Sequence, residues 1–263
     1  MVDPAEAIGR ARQAVSERAE LPGMSLIEHL EELRKRILRS VLFLALGFAV
    51  AGIFYQRLVA FIQAPLTRIG KSLVFTHPMD PLNLDLKVAL VGGAILASPF
   101  ILYQVWLFIA PGLYQRERRF VIPFMVATVG LFLAGAVFGY YYVLPGALQV
   151  LIVDFGHDFT PMVTIDEYSS FFLSVILGLG ISFELPVLIF FLALFGIVSP
   201  RLLWKNIRYA ILGAFVVAAI ICPSPDPWTM CVYAVPLLAL YLGGIAVAWW
   251  VHPARRKTKE TLT

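Results

Sequence analysis

At 263 residues, 60% of them hydrophobic and only 14% charged, with a mean hydropathy of +0.82, the chain lies far outside the composition of a soluble globular protein. The net charge of +4 comes from basic residues gathered in short clusters between apolar runs, where they orient helices, so the balance argues against a nucleic-acid partner. What remains is an all-α membrane protein.

Residues 1–24 are polar, carry Pro4 and Pro22, and read as a mobile segment. They hold no short apolar region with a small-residue cleavage site, so no cleaved signal peptide is expected. The stretch Ser25-Leu26-Ile27-Glu28-His29-Leu30-Glu31-Glu32-Leu33-Arg34-Lys35-Arg36 comes next. Ser25 with Glu28 makes a capping-box pattern, and Leu26, Leu30, Leu33 and Ile37 recur at helical spacing, which predicts a short amphipathic helix running into the first span. Two readings stand for its carboxylates. They pair with Arg34, Lys35 and Arg36 on a solvated helix, or they offer bidentate acceptors to the guanidinium groups of a basic ligand.

A hydrocarbon core of about 30 Å takes roughly 20 helical residues. Apolar run length places six spans at 37–54, 88–109, 120–143, 168–198, 209–222 and 229–251. The fifth is short, about 21 Å at 1.5 Å per residue, and predicts local thinning of the bilayer. Seven Lys and Arg precede or include Arg39, three fall in 116–119, three in 201–208 and four in the tail, whereas the loops after the third and fifth spans have none. The positive-inside rule then puts both termini in the cytoplasm. Residues 25–251 form one six-helix domain, and 252–263 a basic tail. The loops 55–87, with Pro65, Pro78 and Pro81, and 144–167, with Pro145 and Pro161, exceed what a hairpin needs and are expected to build a small cap on the outer face.

A second acidic position, Glu117, stands among Arg116, Arg118 and Arg119 in the loop after the second span, either as a local salt bridge or as a second grip on a basic peptide. Glu184 is the one ionisable residue deep within a span. A carboxylate there costs several kcal/mol against lipid, so it faces water, a cavity or a partner, or makes a structural hydrogen bond to another helix. Pro186 cannot bond the carbonyl of Ser182, nor Pro99 that of Ile95, so both helices should bend. Catalytic motifs are missing, and the four His are not grouped, so neither enzyme activity, cofactor nor metal is expected. Cys222 and Cys231 flank the outer turn, where a disulfide is permitted but two thiols are expected. Trp106, Trp228, Trp249 and Trp250 read as interfacial anchors, and Gly178 and Gly180 as a helix-packing surface.

The Ser25–Arg36 run, the run Ser98-Pro99-Phe100-Ile101-Leu102-Tyr103-Gln104-Val105-Trp106-Leu107-Phe108-Ile109-Ala110-Pro111-Gly112-Leu113-Tyr114, the following Glu117-Arg118-Arg119, and Ser182-Phe183-Glu184-Leu185-Pro186 together resemble TatC, the large subunit of the twin-arginine protein translocase. The resemblance runs in order from Ser25 to Trp250. It implies a concave, glove-like bundle in the cytoplasmic membrane of a prokaryote, acting as receptor for the twin-arginine signal peptides of folded cargo and as core of an export machine driven by the proton-motive force. By motif position it implies that Glu32 and Glu117 contact the arginine pair, with Phe108, Arg34 and Glu28 close by. It puts Glu184 in the concave membrane face, Pro65 in the outer cap and Asp226 in a Pro-Pro-Asp type turn, here Pro223-Ser224-Pro225-Asp226-Pro227. The implied partners are TatA- and TatB-type single-span subunits, further copies of the chain and membrane lipid. Met230 departs from the polar Gln of some relatives. The rival reading is an ion-coupled secondary transporter with Glu184 as coupling residue, which Pro186 and Pro99 favour and the lack of matched discontinuous halves disfavours.

Overall fold

The computed structural model describes residues 26–109, 121–156, 158–194, 196–222 and 227–251. The predicted amphipathic lead-in and first span are one helix, α1, Leu26–Ile53, whose 28 residues reach roughly 42 Å. After a break at Phe54 the chain forms a surface helix, α2, Tyr55–Arg68, then a two-residue strand, β1, Leu73–Val74. α3, Asp80–Ile109, follows. α4, Val121–Phe138, passes through a π turn at Gly139–Val143 into a short α5, Leu144–Leu148, and a second π turn at Gln149–Asp154. A second strand, β2, Val163–Thr164, leads into α6, Ile165–Ser182, and α7, Leu185–Leu194. The last elements are α8, Pro200–Lys205, α9, Ile207–Ile221, and α10, Pro227–Val251.

Five helical stretches are long and apolar enough to cross a membrane, and α9 is the sixth, shorter one. Its 15 residues reach only about 22 Å, in line with the short span read from the sequence.

Three boundaries differ from expectation. The second span starts at Asp80, not Val88, because the Asp80 carboxylate accepts the backbone N–H of Thr76 and of His77, both at 2.9 Å, and so nucleates the helix eight residues early. The third does not end at Val143 but continues to Asp154, since the wider π turns absorb Pro145: the Leu144 N–H bonds the Gly139 carbonyl and the Phe155 N–H that of Val150, each five residues back. The fourth is two helices, interrupted at Phe183 and Glu184, and ends at Leu194. Thr164 caps its start by accepting from the Glu167 N–H.

The cap is present. β1 and β2 pair in parallel, Leu73 with Val163 and Val74 with Thr164, tying the two long loops together. Lys87 joins them below, donating to Asp166 and to Ser170 Oγ. Pro65 lies buried in α2, inside this cap.

α1 packs chiefly on α3, α4 on α6, and α10 on α7 and α9. The α1–α3 crossing is made by glycine: a Cβ on Gly47 would overlap the Gly93 carbonyl oxygen. Gly178 and Gly180 are packing surfaces as expected, with Cβ positions 2.7 Å from Ile221 Cδ1 and 2.9 Å from Phe132 Cε2. Trp106 is a correction. It is no interfacial anchor but a buried residue, donating from Nε1 to Thr128 Oγ1 at 3.3 Å and packing edge-on against Phe191. It thereby pins the lower half of α3 to α4 and α7. Trp228, Trp249 and Trp250 are exposed, as anchors should be. Cys222 is buried, Cys231 exposed, and both remain thiols.

Candidate functional site

The α1–α3 seam is a ladder of paired side chains running antiparallel. His29 stacks on Phe108 with ring centroids 4.6 Å apart, Arg36 donates to Gln104, Phe43 stacks on Phe100 at 5.1 Å, and Gly47 meets Gly93. Positions 29, 36 and 43 repeat every seven residues, the spacing that keeps one stripe of a helix against a neighbour. The ladder brings the start of α1, with its carboxylates, to the end of α3.

Two ion pairs at i,i+4 spacing sit there, in different surroundings. Glu31 and Lys35 are 2.9 Å apart, with side chains 60% and 63% exposed. That pair is the solvated-helix arrangement, weak in water. Glu32 and Arg36 are also 2.9 Å apart, but 17% and 19% exposed, turned toward α3. Arg36 Nη2 donates to Glu32 Oε1, while its Nη1 donates to Gln104 Oε1 at 3.2 Å. Gln104 is 5% exposed. One guanidinium is thus held by acceptors from two helices. Glu32 Oε2 is buried and has no hydrogen-bond partner among the described residues. The carboxylate is half used: one oxygen is occupied and the other, desolvated, can accept a strong charge-assisted bond.

Of the other residues singled out from sequence, Phe108 is half-buried on the same seam, and Glu28 and Arg34 are exposed on the neighbouring turns of α1. Glu117 and Asp226 lie outside the described residues, as do Ser25 and the segments 1–24 and 252–263. Sequence reasoning missed Gln104 as a participant. Its signal was available, as an amide standing alone in the apolar run Val105 to Ile109 and Ile101 to Tyr103, where a buried polar side chain demands a partner.

Glu184 stands apart, in the break between α6 and α7. Its backbone N–H bonds the Ile181 carbonyl at 3.0 Å, and its carbonyl accepts from Leu188 at 2.9 Å, so the interruption is a tight turn, not a melted segment. Oε1 is buried without a hydrogen-bond partner among the described residues, so the alternative of a structural interhelical bond is not met by that oxygen. Ser182 Oγ turns back onto the Gly178 carbonyl at 2.6 Å, a bond that favours bending at the same point.

Known proteins are similar to this chain in sequence and fold. Residues 28–236 match the family described as Sec-independent protein translocase protein (TatC). A Sec-independent protein translocase protein TatC from Koribacter versatilis is 51% identical over 264 residues, covering 98% of this chain and 97% of the relative. One from Aquifex aeolicus is 38% identical, covering 90% and 98%. A crystal structure described as twin arginine translocase receptor TatC superposes with a TM-score of 0.77 at 37% identity, covering 85% of this chain and 99% of that one.

Proposed function

The chain belongs to the TatC family of Sec-independent protein translocase subunits, and from that premise we propose that it is the subunit that receives the twin-arginine signal peptides of folded cargo. The observation that carries this reading is Glu32, a largely buried carboxylate with a guanidinium on one oxygen and an unused second oxygen. A planar arginine fork fits such an acceptor, and a lysine ammonium does not fill it. In this reading Glu32 and Glu117 take the two arginines, and Glu28, Arg34 and Phe108 border the site. Each charge-assisted bond contributes about 1.5–3 kcal/mol, so the arginines select the peptide, and its apolar segment adds the remaining affinity along the concave membrane face near Glu184. The start of α1 then faces the cytoplasm, the β1–β2 cap faces outward, and the partners are TatA- and TatB-type single-span subunits and further copies of the chain, with export driven by the proton-motive force. A protein-translocase family leaves the ion-coupled transporter reading of Glu184 without support.

The test is binding of an Arg-Arg signal peptide and its Lys-Lys twin to the full chain in nanodiscs, for the unmodified protein and for Glu32→Ala. Arg preference of on the order of tenfold, lost in the variant, is the expected result. Equal binding of the two peptides by the unmodified chain would refute the receptor role.

A further inference from the structure

Arg36 is held in a way that its neighbours are not. Lys35, one position earlier, pairs with Glu31 in the open. Arg36 instead bonds Glu32 Oε1 through one nitrogen and Gln104 Oε1 through another, at 2.9 and 3.2 Å, with only 19% of its side chain exposed. Two acceptors spaced to engage different nitrogens of one planar group form an arginine seat. An ammonium, a single point donor, cannot span it.

We infer that Arg36 is a resident arginine, occupying this seat until an arginine of the signal peptide exchanges for it. The inference rests on the receptor reading above and adds a mechanism of selection. An arriving guanidinium first meets Glu32 Oε2, the shielded oxygen with no partner among the described residues. It then takes Oε1 as well, converting a single bond to the carboxylate into a two-bond fork, while Arg36 swings out along its flexible stem to water. Once Arg36 has left, one guanidinium has replaced another, so the completed exchange buries no extra charge and the desolvation penalty of a new buried ion is avoided. A lysine arriving at the same place gains one bond and breaks two. The resident therefore acts as a competitor that arginine displaces and lysine does not.

The inference reverses the effect that a merely supporting role for Arg36 would have. If Arg36 props Glu32 in place, weakening its hold weakens peptide binding; if it competes, weakening its hold strengthens binding. Arg36→Lys keeps the positive charge beside Glu32 but cannot reach both acceptors. Gln104→Leu leaves Arg36 and Glu32 intact and removes one side of the seat. In nanodiscs, both variants should bind the Arg-Arg peptide more tightly, on the order of tenfold for Arg36→Lys and severalfold for Gln104→Leu, with the Lys-Lys peptide gaining less. Lys35→Ala, which removes a charge from the same turn at the exposed pair, should stay within about twofold of the unmodified chain. Unchanged or weaker Arg-Arg binding in either Arg36→Lys or Gln104→Leu overturns the resident role. Failure of the receptor reading is seen separately, as the absence of Arg preference in the unmodified chain.

Discussion

Pro65 and Pro99 are tolerated inside their helices because a hydroxyl stands ready for the carbonyl each one orphans. Pro65 has no N–H for the Phe61 carbonyl four residues back, and Tyr140 fills the gap, its hydroxyl donating to that oxygen at 3.0 Å while its ring stacks on Phe61 with centroids 4.0 Å apart. Tyr168 donates to the next carbonyl, that of Ile62, at 2.7 Å. Pro99 is treated the same way from its own helix, Ser98 Oγ donating to Ile95 O at 2.7 Å, and α3 continues through it. At Pro186 the helix gives way instead, and α6 ends at Ser182. The explanation for Tyr140 can be tested by a double-mutant cycle. Tyr140→Phe should cost about 1 kcal/mol of stability in a detergent unfolding titration, and less in a Pro65→Ala background, where the Ala N–H supplies the missing donor. Purely additive effects would show that Tyr140 acts through its ring alone.

Among the membrane-length helices, α1 is the least buried. Most of its outward face, including Ile37, Leu38, Val41, Leu42 and Leu46, is exposed, as suits lipid, and only the narrow stripe on α3 is covered. Lipid tails are as apolar as leucine, so burial of that stripe provides little drive, and close backbone approach must supply the attraction. Gly47 and Gly93 permit it, since a Cβ on Gly93 would fall 2.5 Å from the Phe48 nitrogen. Gly93→Ala should therefore cost about 1–3 kcal/mol by overpacking, read as a fall in melting temperature in detergent. A melting temperature equal to that of the unmodified chain would mean that α1 is held elsewhere. The spans themselves were legible because long apolar runs have few alternatives in a membrane. Their ends were not, since Asp80, Asp85 and Lys87 dilute the apolar signal of α3 and Pro145-Gly146 imitates a helix stop that the π turns override. The α1 carboxylates were equally legible as a group, but which of them turns inward depends on the α1–α3 register, and that register is set by Gly47, Gly93 and the ring stacks, contacts invisible in either segment alone.

For the whole molecule, the parity of the chain puts Leu26 and Val251 at one end and the β1–β2 cap at the other, because six apolar helices alternate between them. Charge then chooses the side each end faces. The cap end is not free of basic residues: Arg57, Arg68, Lys71 and Lys87 lie there. They are outnumbered by the seven up to Arg39, the three in 116–119, the three in 201–208 and the four of the tail, and Lys87 is engaged by Asp166. Short basic loops are retained in the cytoplasm, so the end bearing Arg34, Lys35 and Arg36 should face inward and the cap outward. In a Cys222→Ser, Cys231→Ser background, Thr76→Cys in the cap should react with a membrane-impermeant maleimide on intact cells, and Ser16→Cys only after the membrane is opened. The reverse pattern would place Glu32 on the side where no signal peptide arrives and would remove the receptor reading with it. Labelling of both sites from outside would instead mean a chain inserted in two orientations, and a topology in which the four basic residues at the cap end offset those at the other.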